Sequence, residues 1–287
     1  MNFTNRTFMW LLRIATFLTL FCRGWLYLRW NCPLREIFWT EKWMTPLVDY
    51  FLHMDWAQFS QTSDPYITFL FRAIGIFLMV AGGAALFVSK NTRRLTDILV
   101  VATFFTILHA FAAWHGKDYQ IGMLIEMALQ AFSPLLLLIA IRRGIEANSF
   151  DWISKAVIAL TFVGHGLYAV GHHPVPANFV TMSMNILGLS EGISKSFLLA
   201  AGYLDFIAAA LIFLPYASIR KYSFYYMVFW GFVTALARVV NHYNPAEKFN
   251  GIDPWLFETL VRTPHWALPL IMGLLIANQQ KQNTLES

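Results

Sequence analysis

At 287 residues with 57% hydrophobic, 17% aromatic and 13% charged, the chain carries far less charge than the roughly 25% of a soluble domain. A mean hydropathy of +0.52 points the same way. A cytosolic enzyme, a disordered chain and a nucleic-acid binder are excluded, and the net charge of +5 belongs to loops that orient membrane spans.

A spanning helix needs about 20 mostly apolar residues. Eight windows qualify: 8–30, 66–89, 97–114, 120–141, 153–171, 192–216, 223–241 and 264–277. Arg13 and Arg23 interrupt the first, and no small-residue cleavage site follows it, so it is expected to remain as a helix rather than be removed. The eighth is the shortest and contains Pro269. The fold class is therefore all-α, a polytopic membrane protein of about eight transmembrane helices. Cys22 and Cys32 are ten residues apart on the first helix and its outer end, some ~15 Å by helical rise, too far to bridge.

Orientation follows from the short basic loops. Lys90, Arg93 and Arg94 follow span two, Arg142 and Arg143 span four, and Arg220 and Lys221 span six. Both termini are thus expected in the cytoplasm of a bacterial inner membrane. The longer segments 31–65, 172–190 and 242–262 then face outward. Those after spans one and five, rich in Trp, Phe, Met and Pro, are expected in the membrane interface or folded over the helices.

The chain also reads as a duplication. Spans one and five share a basic inner end, an Arg23-Gly24 or His165-Gly166 step and a Pro-containing exit. Spans two and six share a central Gly and an Ala-rich second half. Spans three and seven place a polar residue after a Thr and end in His; spans four and eight share a Pro-Leu core at Pro134 and Pro269, where kinks are expected. Two parallel four-helix units, 1–147 and 148–287, are predicted.

Charges inside spans are expensive unless paired or hydrated. Arg13 and Arg29 lie near span ends and can snorkel. Arg23, Arg72, Glu126, Asp205 and Arg238 lie deeper and predict an intramembrane charge network. It would either fix helix packing or line a polar cavity for an anionic or quinone-like ligand. All eight histidines fall on the outward side. His109, His165, His172, His173 and His242 are candidate ligands for a transition metal or haem, since imidazole suits both. The candidate cofactor site is His109, His165, Glu126 and Arg238. No metalloprotease, Walker, dinucleotide or nucleophile-elbow motif is present, so any chemistry comes from a cofactor or a partner.

An Arg-bearing first helix, an R-x-x-G opening of the second (Arg72 to Gly75) and its Gly/Ala-rich middle resemble the DoxX superfamily of bacterial membrane proteins. The segment from Pro33 to Glu41 is also similar to outer loops of DoxX-like and carboxylase-like membrane proteins. The resemblance spans nearly the whole chain as two copies. It implies a four-helix redox fold of the kind found in thiosulfate:quinone oxidoreductase membrane subunits. The absence of paired cysteines argues against the thiol chemistry of the disulfide-handling relatives. Three functions follow as expectations. The first is a redox-associated component holding quinone, haem or metal in its outer half. The second is an accessory subunit whose aromatic outer loops dock a membrane or periplasmic partner. The third, ranked last, is a small-solute or proton-coupled transporter with Asp205 and Glu126 as titrating groups.

Overall fold

The computed structural model describes residues 3–30 and 32–286; the predicted boundaries at residues 1, 31 and 287 lie outside them. Fourteen α-helices, one 3₁₀ turn and no strand occur among the described residues. In chain order they are α1 (Phe3–Arg29), α2 (Leu34–Phe38), α3 (Glu41–Leu52), α4 (Trp56–Thr62), α5 (Asp64–Phe87), α6 (Arg93–His115), α7 (Ile121–Glu126) and α8 (Ala128–Arg143). Then follow α9 (Asn148–Ala169), α10 (Ala177–Leu187), α11 (Glu191–Leu211), α12 (Ala217–His242), α13 (Lys248–Leu260) and α14 (Pro264–Glu286). Eight of the helical segments are long and apolar enough to cross a membrane. Their outward faces are apolar: Phe69, Ile76, Val80 and Phe87 of α5 are all exposed. Such a stripe suits hydrocarbon and not water.

Two of the eight segments are interrupted. Span four breaks at Met127, between α7 and α8. Span eight runs from Pro245 to Gln282 and breaks at residues 261–263, where turns replace the helix before Pro264. Neither break falls on the proline expected to cause a kink. Pro134 and Pro269 sit inside continuous helices, seven residues beyond Met127 and Arg262 respectively. The segment 242–262, read from sequence as an outward loop, is largely α13. It descends along α1, held by Asp253, which is fully buried. Trp25 Nε1 and Trp30 Nε1 donate to its carboxylate at 2.6 and 3.0 Å, and Arg29 pairs with it at 3.4 Å. The hydropathy of this stretch is diluted by the polar groups that dock it.

Helix α1 packs on α5 and α9 on α11, while α6 packs on α8 and α12 on α14. The interrupted helices cross between these groups, α7 and α8 against α9, α13 and α14 against α1. Close backbone approach is made by glycine. A Cβ on Gly24 would collide with the Gly75 carbonyl, and one on Gly202 would stand 3.1 Å from the Gly166 oxygen. Arg13 caps the end of α5: its guanidinium donates to the carbonyls of Leu86 and Val88, each at 2.6 Å.

Gly24→Val should lower stability by about 1–3 kcal/mol, because the contacted atom is backbone and cannot move aside. Gly83, with nothing within 4 Å of an added Cβ, is the control. Gly83→Ala should leave stability unchanged or raise it by up to about 1 kcal/mol. Thermal unfolding of both variants in detergent micelles checks the pair.

Candidate functional site

Both interruptions are flanked by buried polar side chains, Glu126 and Gln130 at the first and Arg262 and His265 at the second. From α1, Arg23 donates to Gln130 Oε1 at 2.6 Å and pairs with Glu258 Oε1 at 3.4 Å. Glu258 also takes a short contact from Arg262, whose guanidinium donates to the Glu258 carbonyl at 2.6 Å. From α9, His165 Nε2 lies 3.4 Å from Glu126 Oε1. Its ring stacks on His265, with centroids 5.5 Å apart and planes within 9°. His265 Nδ1 donates to the Arg262 carbonyl at 3.1 Å, which closes the cluster.

Arg238 enters from α12 and donates to the Thr234 carbonyl at 2.6 Å. It is buried and makes no ion pair among the described residues, although Glu126, Glu258 and Arg262 lie within electrostatic reach. Across from it on α11, Asp205 is 1% exposed and accepts from the Tyr226 hydroxyl at 2.9 Å. Several buried polar atoms of the cluster have no hydrogen-bond partner among the described residues: Gln130 Nε2, His265 Nε2, Arg262 Nε and the nearby Tyr168 Oη. Orphaned donors and acceptors of this kind are rare in protein interiors and mark a place that takes water or ligand.

Beside the cluster lies a cavity of about 140 Å³ between α9, α10, α11 and α12. Phe179, Met182, Ile186, Phe197, Leu198, Trp230 and Val233 form its walls. His165, Asp205, Thr234 and Arg238 provide the polar lining. Helix α10 covers it, ends in Gly188 at φ +66°, and is tied down by Asn185 Nδ2 donating to Asn241 Oδ1 at 2.9 Å.

Of the residues singled out in the sequence, Arg23, Glu126, His165 and Arg238 are gathered at the centre, with Asp205 across the cavity. Arg72 is not: it is exposed, while its neighbours Phe71 and Gly75 face inward. Depth along a helix had placed it in the network, but depth does not give azimuth. The five candidate metal histidines are likewise not brought together. His109 shares a 2.7 Å hydrogen bond with the Tyr27 hydroxyl. His172 and His173 lie at the loop after α9, and His242 stacks on Trp255 at 3.6 Å. No group of three or more His, Cys, Asp or Glu able to hold a metal ion occurs among the described residues. Glu258, Arg262, Gln130, His265 and Tyr27 were missed. The i, i+4 spacing of Glu258 and Arg262 across an apolar stretch was the signal for the first two.

The chain matches no protein-family model, no curated protein and no solved structure.

Two outcomes test the site's construction. Arg23→Met removes one partner of a buried pair and should lower stability by about 3 kcal/mol, whereas Arg72→Met should change it by no more than about 0.5 kcal/mol. Denaturant titration in micelles compares them. The second concerns His173, whose Nε2 accepts from the Gly122 N–H at 3.1 Å and so holds the start of α7. Partial burial and the neighbouring His172 lower its pKa. The anchor therefore contributes in full above the unfolded histidine pKa of about 6.5 and is lost as pH falls through the lowered folded value beneath it. Amide exchange at Gly122 should accelerate, beyond the intrinsic pH effect, between about pH 6.5 and 4.5 in wild type and not in His173→Gln.

Proposed function

We propose that the chain is a redox-associated membrane component that binds a quinone-type molecule delivered from the bilayer, in the cavity between α9 and α12. One observation carries this: a benzene-sized apolar cavity opens onto a buried guanidinium, Arg238, that has no paired carboxylate among the described residues, and onto the His165 imidazole beside it. A ligand pocket combines apolar walls with few placed polar groups in this way. Among the groups the sequence suggested, a quinone head suits the donor set. The cavity is too small for a haem macrocycle, and the histidines share no point at which to ligate a metal.

Arg238 and His165 are the donors for a ring oxygen. Asp205, held by Tyr226, is the carboxyl that can exchange a proton with such an oxygen. The walls from α10, α11 and α12 exclude water, which strengthens each of these interactions. A quinone supplies two-electron, two-proton chemistry when bound; the chain supplies orientation, polarity and dryness. The resemblance to DoxX-like proteins supports the redox association. The paired glycine contacts on α1–α5 and α9–α11 support two four-helix units, 1–147 and 148–287. Asn5 bonds to Glu146, close to Arg142, and Gln280 to Lys221, next to Arg220, so the first and last helices reach the face of the short basic loops, which supports a bacterial inner membrane protein with cytoplasmic termini.

Equilibrium dialysis of the purified protein against a decyl-substituted benzoquinone should show saturable one-to-one binding. Arg238→Met should weaken it about tenfold or more, the loss of one charge-assisted hydrogen bond. Absence of saturable binding, or equal affinity in the variant, would overturn the assignment.

A further inference from the structure

The two halves of the chain treat equivalent space differently. On α5, a Cβ at Gly75 would stand 3.1 Å from the Tyr27 Cβ of α1; on α11, a Cβ at Gly202 would stand 3.0 Å from the Ala169 Cβ of α9. Tyr27 in the first half therefore occupies the position of Ala169 in the second. Along α6 and α12 the sequences match at Thr106 and Leu108 with Thr234 and Leu236, which sets His109 against Ala237. Tyr27 and His109 are hydrogen-bonded to each other at 2.7 Å with ring centroids 5.7 Å apart. Around Thr106 and His109 the first half keeps only about 10 Å³ free. In the second half Ala169, Thr234 and Ala237 all line the cavity of about 140 Å³. A phenol and an imidazole fill in one half what two methyl groups leave open in the other.

Resting on the quinone-type reading above, we propose that the cavity takes one hydroxylated aromatic ring, of the phenol or quinol class. The ring takes the place that the Tyr27–His109 pair fills in the first half, and Ala169 and Ala237 are the residues that determine specificity. The volume supports a single ring, since a cavity of about 150 Å³ in a protein core accepts one benzene. The polar lining supports an oxygen on that ring: Arg238, buried and without an ion pair among the described residues, faces the cavity together with His165. Asp205 supports a hydroxyl over a carboxylate, because an anionic head would face a second carboxyl group across the same small space. The first half serves as an internal picture of the occupied state.

Three probes with one tail separate these features: 4-octylphenol, octylbenzene and octanoic acid, measured by equilibrium dialysis against the intact chain in micelles. Wild type should bind the phenol about tenfold or more tightly than either of the others. Ala169→Tyr and Ala237→Leu should each weaken phenol binding by a similar factor. Tyr27→Ala should open a second cavity, seen as a larger rise in thermal midpoint on adding phenol than wild type shows. Equal binding of the three probes overturns the proposal, even if the filling variants fail to fold. So does unchanged phenol affinity in folded filling variants. If the decyl-substituted benzoquinone binds while the phenol prediction fails, the quinone-type reading stands and the ring placement falls. If neither binds, both fall.

Discussion

A guanidinium buried inside a helical bundle has to be satisfied from more than one side, and Arg23 sets the terms for the rest of this structure. It reaches Gln130 just after one helix break and Glu258 just before the other. Leaving such a charge unpaired in a low-dielectric interior costs several kcal/mol. The chain meets that demand by interrupting two helices at the level of the arginine. The interruptions in turn release polar groups, and Arg262, His265 and Glu126 follow from them. Asp253 makes the arrangement possible, since its contacts from Trp25 and Arg29 of α1 and from the following Trp30 hold α13 beside Arg23.

His165 occupies on α9 the place that Arg23 occupies on α1, next to a carboxylate from one interrupted helix and a ring from the other. The two centres differ in what surrounds them. Around Arg23 the space is closed by Tyr27 and His109; around His165 it opens into the cavity beneath α10. A polar centre closed on itself serves packing, and one that borders an apolar cavity has the composition of a ligand site. The proposed chemistry is thereby confined to the second half of the chain, with the first half as its packed counterpart.

The spans were legible because a folded chain in water rarely sustains an apolar run of about 20 residues, whereas a bilayer requires one. The break at Met127 was not, since it lies in a mostly apolar stretch and depends on packing against α9. Helix α13 was misread for the opposite reason. Asp253 and Glu258 lower its hydropathy, yet each is used at a contact with α1. Arg23, Glu126, His165 and Arg238 could be named from their depth, and the bundle does bring them together. Depth alone also nominated Arg72, whose azimuth turns it outward, and grouped histidines that share a side of the membrane without sharing a point. Glycine marks two close helix approaches, Gly24 with Gly75 on α1 and α5 and Gly166 with Gly202 on α9 and α11.

The most direct measurement is photolabelling with an azido-substituted quinone in native membrane vesicles, followed by mapping of the modified peptides. The account predicts adducts on the cavity walls, at Met182 of α10 and Trp230 of α12, that are suppressed by excess unlabelled quinone. Adducts confined to the exposed face of α5, or labelling that excess quinone does not suppress, would contradict it.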